Sequence, residues 1–184
     1  PRSTLCPDTT LFRSKLPVEF TCQPFLTRSR LPGHYVLSYA HDTTRYPDQI
    51  GVSLPAALRA QAGRQRSAPM DMFWFEGDQM IYRRGGRNQM AGGYLMAGYI
   101  HNTPHVTSIA DEAYGGLSFA AVIPSRMTDR LGIMYSWYHV SHRKEEGQTM
   151  IQNAGYSLGT AVRGPQTSSH IIEAYSQSTP HPAS

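Results

Sequence analysis

The chain has 184 residues, with 17 Lys and Arg against 13 Asp and Glu, and a formal charge of +4 with His neutral. Charged residues make up only 16% of it, where soluble domains average about 25%, and its 16 Gly and 11 Tyr suit a β protein with an uncharged exterior better than a helical enzyme. The longest strongly apolar run, Tyr94–Ile100, is far short of the roughly 20 residues a membrane helix needs, so spanning by helices is excluded while spanning by short alternating strands is not. The basic residues are scattered, and their densest group, Arg59–Arg66, has no interleaved aromatics, which argues against a nucleic-acid partner.

In chain order, Thr4–Ser14 (TLCPDTTLFRS) resembles the translation of a sequencing-adapter oligonucleotide. Residues 1–14 are therefore set apart as a fusion scar outside the fold, and 15–184 is read as the protein. Cys6 leaves with the scar, so Cys22 has no partner and no disulfide is expected. Prolines then serve as punctuation, because a proline removes a ladder hydrogen bond from a sheet. Between them lie Gly33–His41, Met70–Arg83, Gln89–Asn102, Ala113–Ile123, Leu131–Ser141 and Ser168–Gln177, with Leu16–Thr21 as the stub of another strand. These are long for soluble strands of about 5–6 residues and fit membrane strands of about 9–11.

Alternation supports the strand reading, since successive side chains point to opposite faces. Leu117, Phe119, Ala121 and Ile123 share one face against Gly116, Ser118, Ala120 and Val122; Leu131, Ile133, Tyr135 and Trp137 oppose Gly132, Met134 and Ser136. Leu95, Ala97 and Tyr99 oppose Tyr94, Met96 and Gly98. In Met70–Arg83, Phe73, Phe75 and Ile81 face away from Glu76 and Asp78, which lie beside Met72, Trp74 and Met80. Connections alternate between short (Arg84–Asn88, Pro124–Arg130) and longer (Asp42–Pro69, Thr103–Glu112, His142–Thr167). Outer-membrane barrels have this asymmetry and a Greek-key sandwich does not. With the long connections taken as the upper end, Phe73, Trp74, Phe75, Tyr99, Tyr114, Tyr135, Trp137 and Tyr138 all fall toward the upper rim, as an interfacial aromatic girdle would.

Four stretches carry a family resemblance. Gly115–Ser141 resembles a strand GLxFxGxIPxR, a turn with Asp and a second strand beginning LG; Leu31–Asp48 resembles LPGxYxxGxxYDTxxxxD. Gly77–Arg83 is similar to xDQMLYR and Ile171–Gln177 to a strand ending in an IE…YQ pattern. In this order and spacing, over Leu16 to Tyr175, they resemble the carbohydrate-selective porins of the OprB type. The resemblance implies an all-β, up-and-down antiparallel transmembrane β-barrel of about sixteen strands, of which this chain is a fragment that does not close a pore by itself. It also implies the Gram-negative outer membrane, mono- or oligosaccharides as transported solute, outer-membrane lipid around the wall, passive diffusion and no enzyme activity. It assigns no oligomeric state.

On that reading Glu76, Asp78, Ser118 and Ser136 face the lumen, because a carboxylate toward lipid is costly. The pattern of Ser168–Gln177 leaves its faces open, and Glu173 is added as a candidate. Arg126 and Asp129 fit turn geometry. The alternative is a soluble periplasmic β-sandwich that binds carbohydrate. Other chemistry is weak: Gly155–Gly159 (GYSLG) matches a nucleophile elbow around Ser157, but Gly164 and Pro165 block a following helix, and His170 precedes Glu173 in the wrong order. His139 and His142 fall on opposite faces of a strand, no spacing builds a zinc or calcium site, and no cofactor or metal is expected. Ser53–Gly63 is expected to form a short helix with Ser53 as N-cap and Gly63 as stop.

Overall fold

The computed structural model describes residues 15–26, 30–63, 66–85, 89–121, 129–159 and 162–178. The segment 1–14 lies outside them, as do Val122, Ile123 and Arg126.

The chain builds one antiparallel sheet. Its strands are β1 (Lys15–Cys22), the two-residue β2 (Phe25–Leu26), β3 (Leu31–Tyr46), β4 (Ala68–Arg83), β5 (Gly92–Asn102), β6 (Ile109–Ala120), β7 (Arg130–Val140) and β8 (Ser168–Gln177). They lie in the order β1-β3-β4-β5-β6-β7-β8, with β2 pairing β3, so each long strand neighbours the next in sequence. This is an up-and-down meander. Among the described residues no second sheet packs on it and no pairing joins its outermost strands, β1 and β8; the two-layer sandwich is not the architecture.

The strands are longer at their upper ends than the proline punctuation predicts, β3 and β4 reaching 16 residues each. Pro69 explains part of this: the register slips between Asp42 and Tyr46, just where Pro69 stands opposite, so no ladder hydrogen bond is asked of it. Pro17 lies in β1, opposite Ala40 of β3. A second bulge, between Met80 and Tyr82, takes Ile81 out of the ladder and returns Tyr82 to register opposite Gly93. Met70–Met80 keeps an unbroken register, so Met72, Trp74 and Met80 do share a face with Glu76 and Asp78; only Ile81 is displaced by the bulge.

The helices all lie in the upper connections: α1 (Gln49–Ser53), α2 (Ala56–Arg59), a 3-10 turn (Ala60–Ala62) and α3 (His142–Asn153). The expected helix at Ser53–Gly63 therefore starts earlier and is broken. Asp48, not Ser53, caps α1, its carboxylate accepting from the Ile50 amide at 3.0 Å, while Ser53 donates back to the Gln49 carbonyl at 2.7 Å. Gly63 does end the run, at φ 69°, in the left-handed region that favours glycine. Ser141 caps α3 by accepting from the Lys144 amide.

Ile50, Leu54, Leu58 and Ile151 from these helices form a buried apolar cluster, with Ala62, Met150 and Leu158 against it. Arg143 reaches across to Asp48, with its Nη2 2.7 Å and its Nε 3.2 Å from Oδ2. Burial by itself would raise the Asp48 carboxyl. The hydrogen bonds from Arg143 and the Ile50 amide, with the guanidinium charge, outweigh it and hold that carboxyl below its ordinary range. The third upper connection joins in: the Gln49 amide donates to the His105 carbonyl at 2.9 Å, and the Gln49 side chain donates to the Val106 carbonyl at 2.8 Å.

Candidate functional site: the two faces of the wall

Register sorts the side chains into two faces. One carries Val18, Phe20, Leu37, Phe73, Phe75, Leu95, Leu117, Phe119, Leu131 and Ile133, all exposed. Phe20 is 54% exposed and Ile133 51%, an arrangement that water penalises and lipid does not.

The other face is mixed, and it falls into cross-strand rows. From the upper end these are Ser38–Trp74–Ile100–Glu112–Tyr138–Ser169, Val36–Glu76–Gly98–Tyr114–Ser136–Ile171, His34–Asp78–Met96–Gly116–Met134–Glu173 and Met80–Tyr94–Ser118–Gly132–Tyr175. Glu76, Asp78, Ser118, Ser136 and Glu173 thus all share this face. Asp78 has His34 across the ladder, Nδ1 to Oδ1 3.6 Å. Glu173, whose face the sequence pattern leaves open, is fixed here by its pairing with Met134.

The eight rim aromatics divide. Phe73, Phe75, Tyr99, Tyr135 and Trp137 lie on the apolar face, while Trp74, Tyr114 and Tyr138 point the other way, among the carboxylates. A single girdle of all eight does not form, because height along a strand and the face a side chain takes are independent.

Two tyrosines of the mixed face are held by the same device. Gly98 lies between Glu76 and Tyr114, and a Cβ there would collide with the Tyr114 ring and hydroxyl. The missing side chain lets the ring cross β5, and its hydroxyl donates to Glu76 Oε2 at 3.2 Å, two strands away. Gly132 does the same for Tyr175, whose hydroxyl donates to Ser118 Oγ at 3.0 Å. In both cases the phenol oxygen is engaged and the ring lies along the wall. The sequence offered a signal for this: a glycine inside a strand marks close approach by a neighbouring group. Tyr94, Tyr175 and Glu112 join the mixed face and were not among the expected residues.

The serine of GYSLG does not sit on a strand-to-helix elbow. Ser157 is exposed in the connection after α3 and its Oγ accepts from the Gly159 amide at 3.2 Å. His139 and His142 part company, the first on β7 and the second at the start of α3. Among the described residues no group of three or more His, Cys, Asp or Glu is placed to hold a metal ion, and no helix is long and apolar enough to cross a membrane.

The connection expected at Thr103–Glu112 shrinks to 103–108 because β6 already starts at Ile109, so it is no longer than the lower turns, and only 47–67 and 141–167 are long. A one-layer meander of long strands, apolar on one face and mixed on the other, with its two longest connections at the same end, is the wall of an outer-membrane-type β-barrel. The family model described as "Carbohydrate-selective porin, OprB family" matches residues 13–183, and the chain belongs to that family. Membership places it in the outer membrane of a Gram-negative cell. The solved high-pH structure of Pseudomonas putida OprB is similar in fold, with a TM-score of 0.71 and 20% identity over 88% of this chain. The chain spans 39% of the length of that structure. No curated protein matches by sequence.

Proposed function

We propose that the whole protein is a passive channel for mono- or oligosaccharides, that the mixed face lines its lumen, and that it catalyses no reaction. The residues from 15 onward belong to one barrel domain on this reading, with 1–14 set aside. Glu76, Asp78, Ser118, Ser136 and Glu173 line the lumen together with Trp74, Tyr114 and Tyr138, and Phe73, Phe75, Tyr99, Tyr135 and Trp137 form the girdle against lipid. The observation that carries this is the division of one sheet into a face of exposed Phe, Leu and Ile and a face of interleaved carboxylates, hydroxyls and aromatic rings.

Sugars have hydroxyl rims and less polar C–H faces. Carboxylates such as Glu76 and Asp78 accept from the rims, and rings such as Trp74 and Tyr114 meet the C–H faces. Binding of this kind has to admit the solute and still release it. Flux through the full-length protein in proteoliposomes tests the reading. Sugar flux that saturates with concentration, and exceeds that of charged solutes of equal size, is the expected result. Flux set by solute size alone would remove the carbohydrate assignment, and no flux at all would remove the channel.

A further inference from the structure

On the apolar face, just above the Leu and Phe band, three strands bring titratable groups together in one register row. His101 of β5, Asp111 of β6 and His139 of β7 are direct cross-strand neighbours. His101 Nδ1 is 2.7 Å from Asp111 Oδ1, and His139 Nδ1 is 2.9 Å from Asp111 Oδ2. The Tyr99 hydroxyl adds a third hydrogen bond to Oδ1, at 2.6 Å. A carboxylate only accepts, so both Nδ1 atoms carry hydrogen, and Nε2 is the ring atom left to the surroundings.

The consequence is a reversal of the sign such a site shows outward. The Asp111 side chain is 18% exposed behind its three donors, whereas His101 and His139 are 50% and 45% exposed. With both rings protonated, two imidazolium groups surround one masked carboxylate, and the local charge is positive. The His139 ring is also stacked on Trp137, interplanar angle 5° and centroids 5.7 Å apart, so its edge is aimed rather than free. The motif recurs beside it: His41 Nδ1 and the Tyr39 hydroxyl both meet Asp71 Oδ1, at 2.7 and 2.5 Å.

We propose that His101 and His139, held by Asp111, form a binding site for the phosphate of a lipid headgroup in the leaflet at the long-loop end. Position selects a lipid over a soluble anion: the site stands on the same face as exposed Leu95, Leu117 and Ile133. Acyl chains therefore cover that band while their headgroups lie level with the imidazoles. In the imidazolium form each ring also carries hydrogen on Nε2, which donates a charge-assisted hydrogen bond to a phosphate oxygen while Asp111 braces the far side of the ring. The site is independent of sugar passage, and failure of the channel reading leaves it standing.

The test uses the full-length protein in detergent micelles doped with a bis-phosphorylated acyl-disaccharide lipid, or with the same lipid after phosphatase treatment. Bound lipids are counted by native mass spectrometry. Wild type is expected to retain the phosphorylated lipid, and the His101→Gln/His139→Gln variant, which keeps amide donors for Asp111 but cannot become cationic, to retain about ten-fold less. Retention of the dephosphorylated lipid should be the same for both. Equal retention of the two lipids by wild type overturns the proposal, as does undiminished retention by the variant. Displacement by millimolar inorganic phosphate together with binding of that anion to delipidated protein overturns the lipid assignment. A dimer that the variant dissociates makes the site a contact between copies instead, and overturns it too. If the variant does not fold, the comparison of the two lipids on wild type decides alone.

Discussion

The wall and the cap above it bury their apolar side chains in opposite ways. In the cap, Leu54 is 2% exposed and Leu58 and Ile50 4% each, packed on Ile151 from a connection far along the chain. In the wall, large apolar residues such as Leu95 and Ile133 stand half exposed, while the buried positions include small residues such as Ser38, Ser118 and Ser136. A domain core built in water puts its bulk inside. A wall built for lipid puts its bulk outside and lets one layer of backbone hydrogen bonds hold it together. The same chain does both, and the boundary between the two regimes is the upper end of the strands.

The sharpest way to break this comparison is a charge in the wall's apolar band. Leu117→Arg is expected to destabilise the full-length barrel by about 2–4 kcal/mol, read from urea unfolding in lipid vesicles. Met134→Arg, across the sheet on the mixed face, should cost far less. Equal costs for the two would mean that the faces are wrongly assigned.

The cap is probed next. Arg143→Ala leaves Asp48 buried without its main partner and is expected to cost the cap about 2–3 kcal/mol locally, seen as faster hydrogen exchange in α1 and α3 with the strand amides unchanged. Acid should act in the same place. Asp48 is held below its ordinary carboxylate range in the folded protein, so its contribution is present above its unfolded value, near pH 4, and is lost as pH falls through the lower folded one. Protection of the cap amides, corrected for the intrinsic exchange rate at each pH, should therefore fall below about pH 4 before that of the wall, and a cap as protected at pH 3 as at pH 6 would contradict this.

Smaller effects test the pinned tyrosines. Gly98→Ala forces the Tyr114 ring aside and is expected to cost about 1–2 kcal/mol, with loss of the bond to Glu76. Tyr114→Phe keeps the ring and removes only that bond, for about 1 kcal/mol. A Gly98→Ala protein as stable as the parent would mean that the ring has room to lie elsewhere.

The strand order and the two faces were legible because period-two alternation is a strong local signal, and the side chains at Leu117, Ile133, Glu76 and Ser136 obey it. Where it failed, a bulge intervened: Ile81 is out of the ladder, and the residues opposite Pro69 are out of step. The aromatics show a different limit. Their height near the rim was readable from the chain, but Trp74, Tyr114 and Tyr138 sit beside Glu76 and Glu112 because each is an even step from those residues on its own strand or a paired one. The helix α3 left no usable pattern. Its sequence HRKEEGQTMIQN has one short apolar pair, Met150 and Ile151, and a glycine in its interior. That glycine is buried, and a Cβ there would stand 3.2 Å from the Ser53 Cβ of α1, so the residue that weakens the helix locally is the one that lets the two helices meet.

The tyrosines laid over Gly98 and Gly132 also act as keys against misregistration. A slip of one residue between strands turns every side chain to the wrong face, and alternation alone forbids it. A slip of two residues preserves both faces and would pass that check. With β6 moved two residues against β5, Tyr114 would meet Met96 or Ile100 in place of Gly98, and its hydroxyl would lose Glu76. With β8 moved likewise against β7, Tyr175 would fall on Met134 or Arg130 rather than Gly132. Each lock fits one alignment of three adjacent strands, so from β4 to β8 a sheet that alternation leaves free to slide in double steps has a single correct seating.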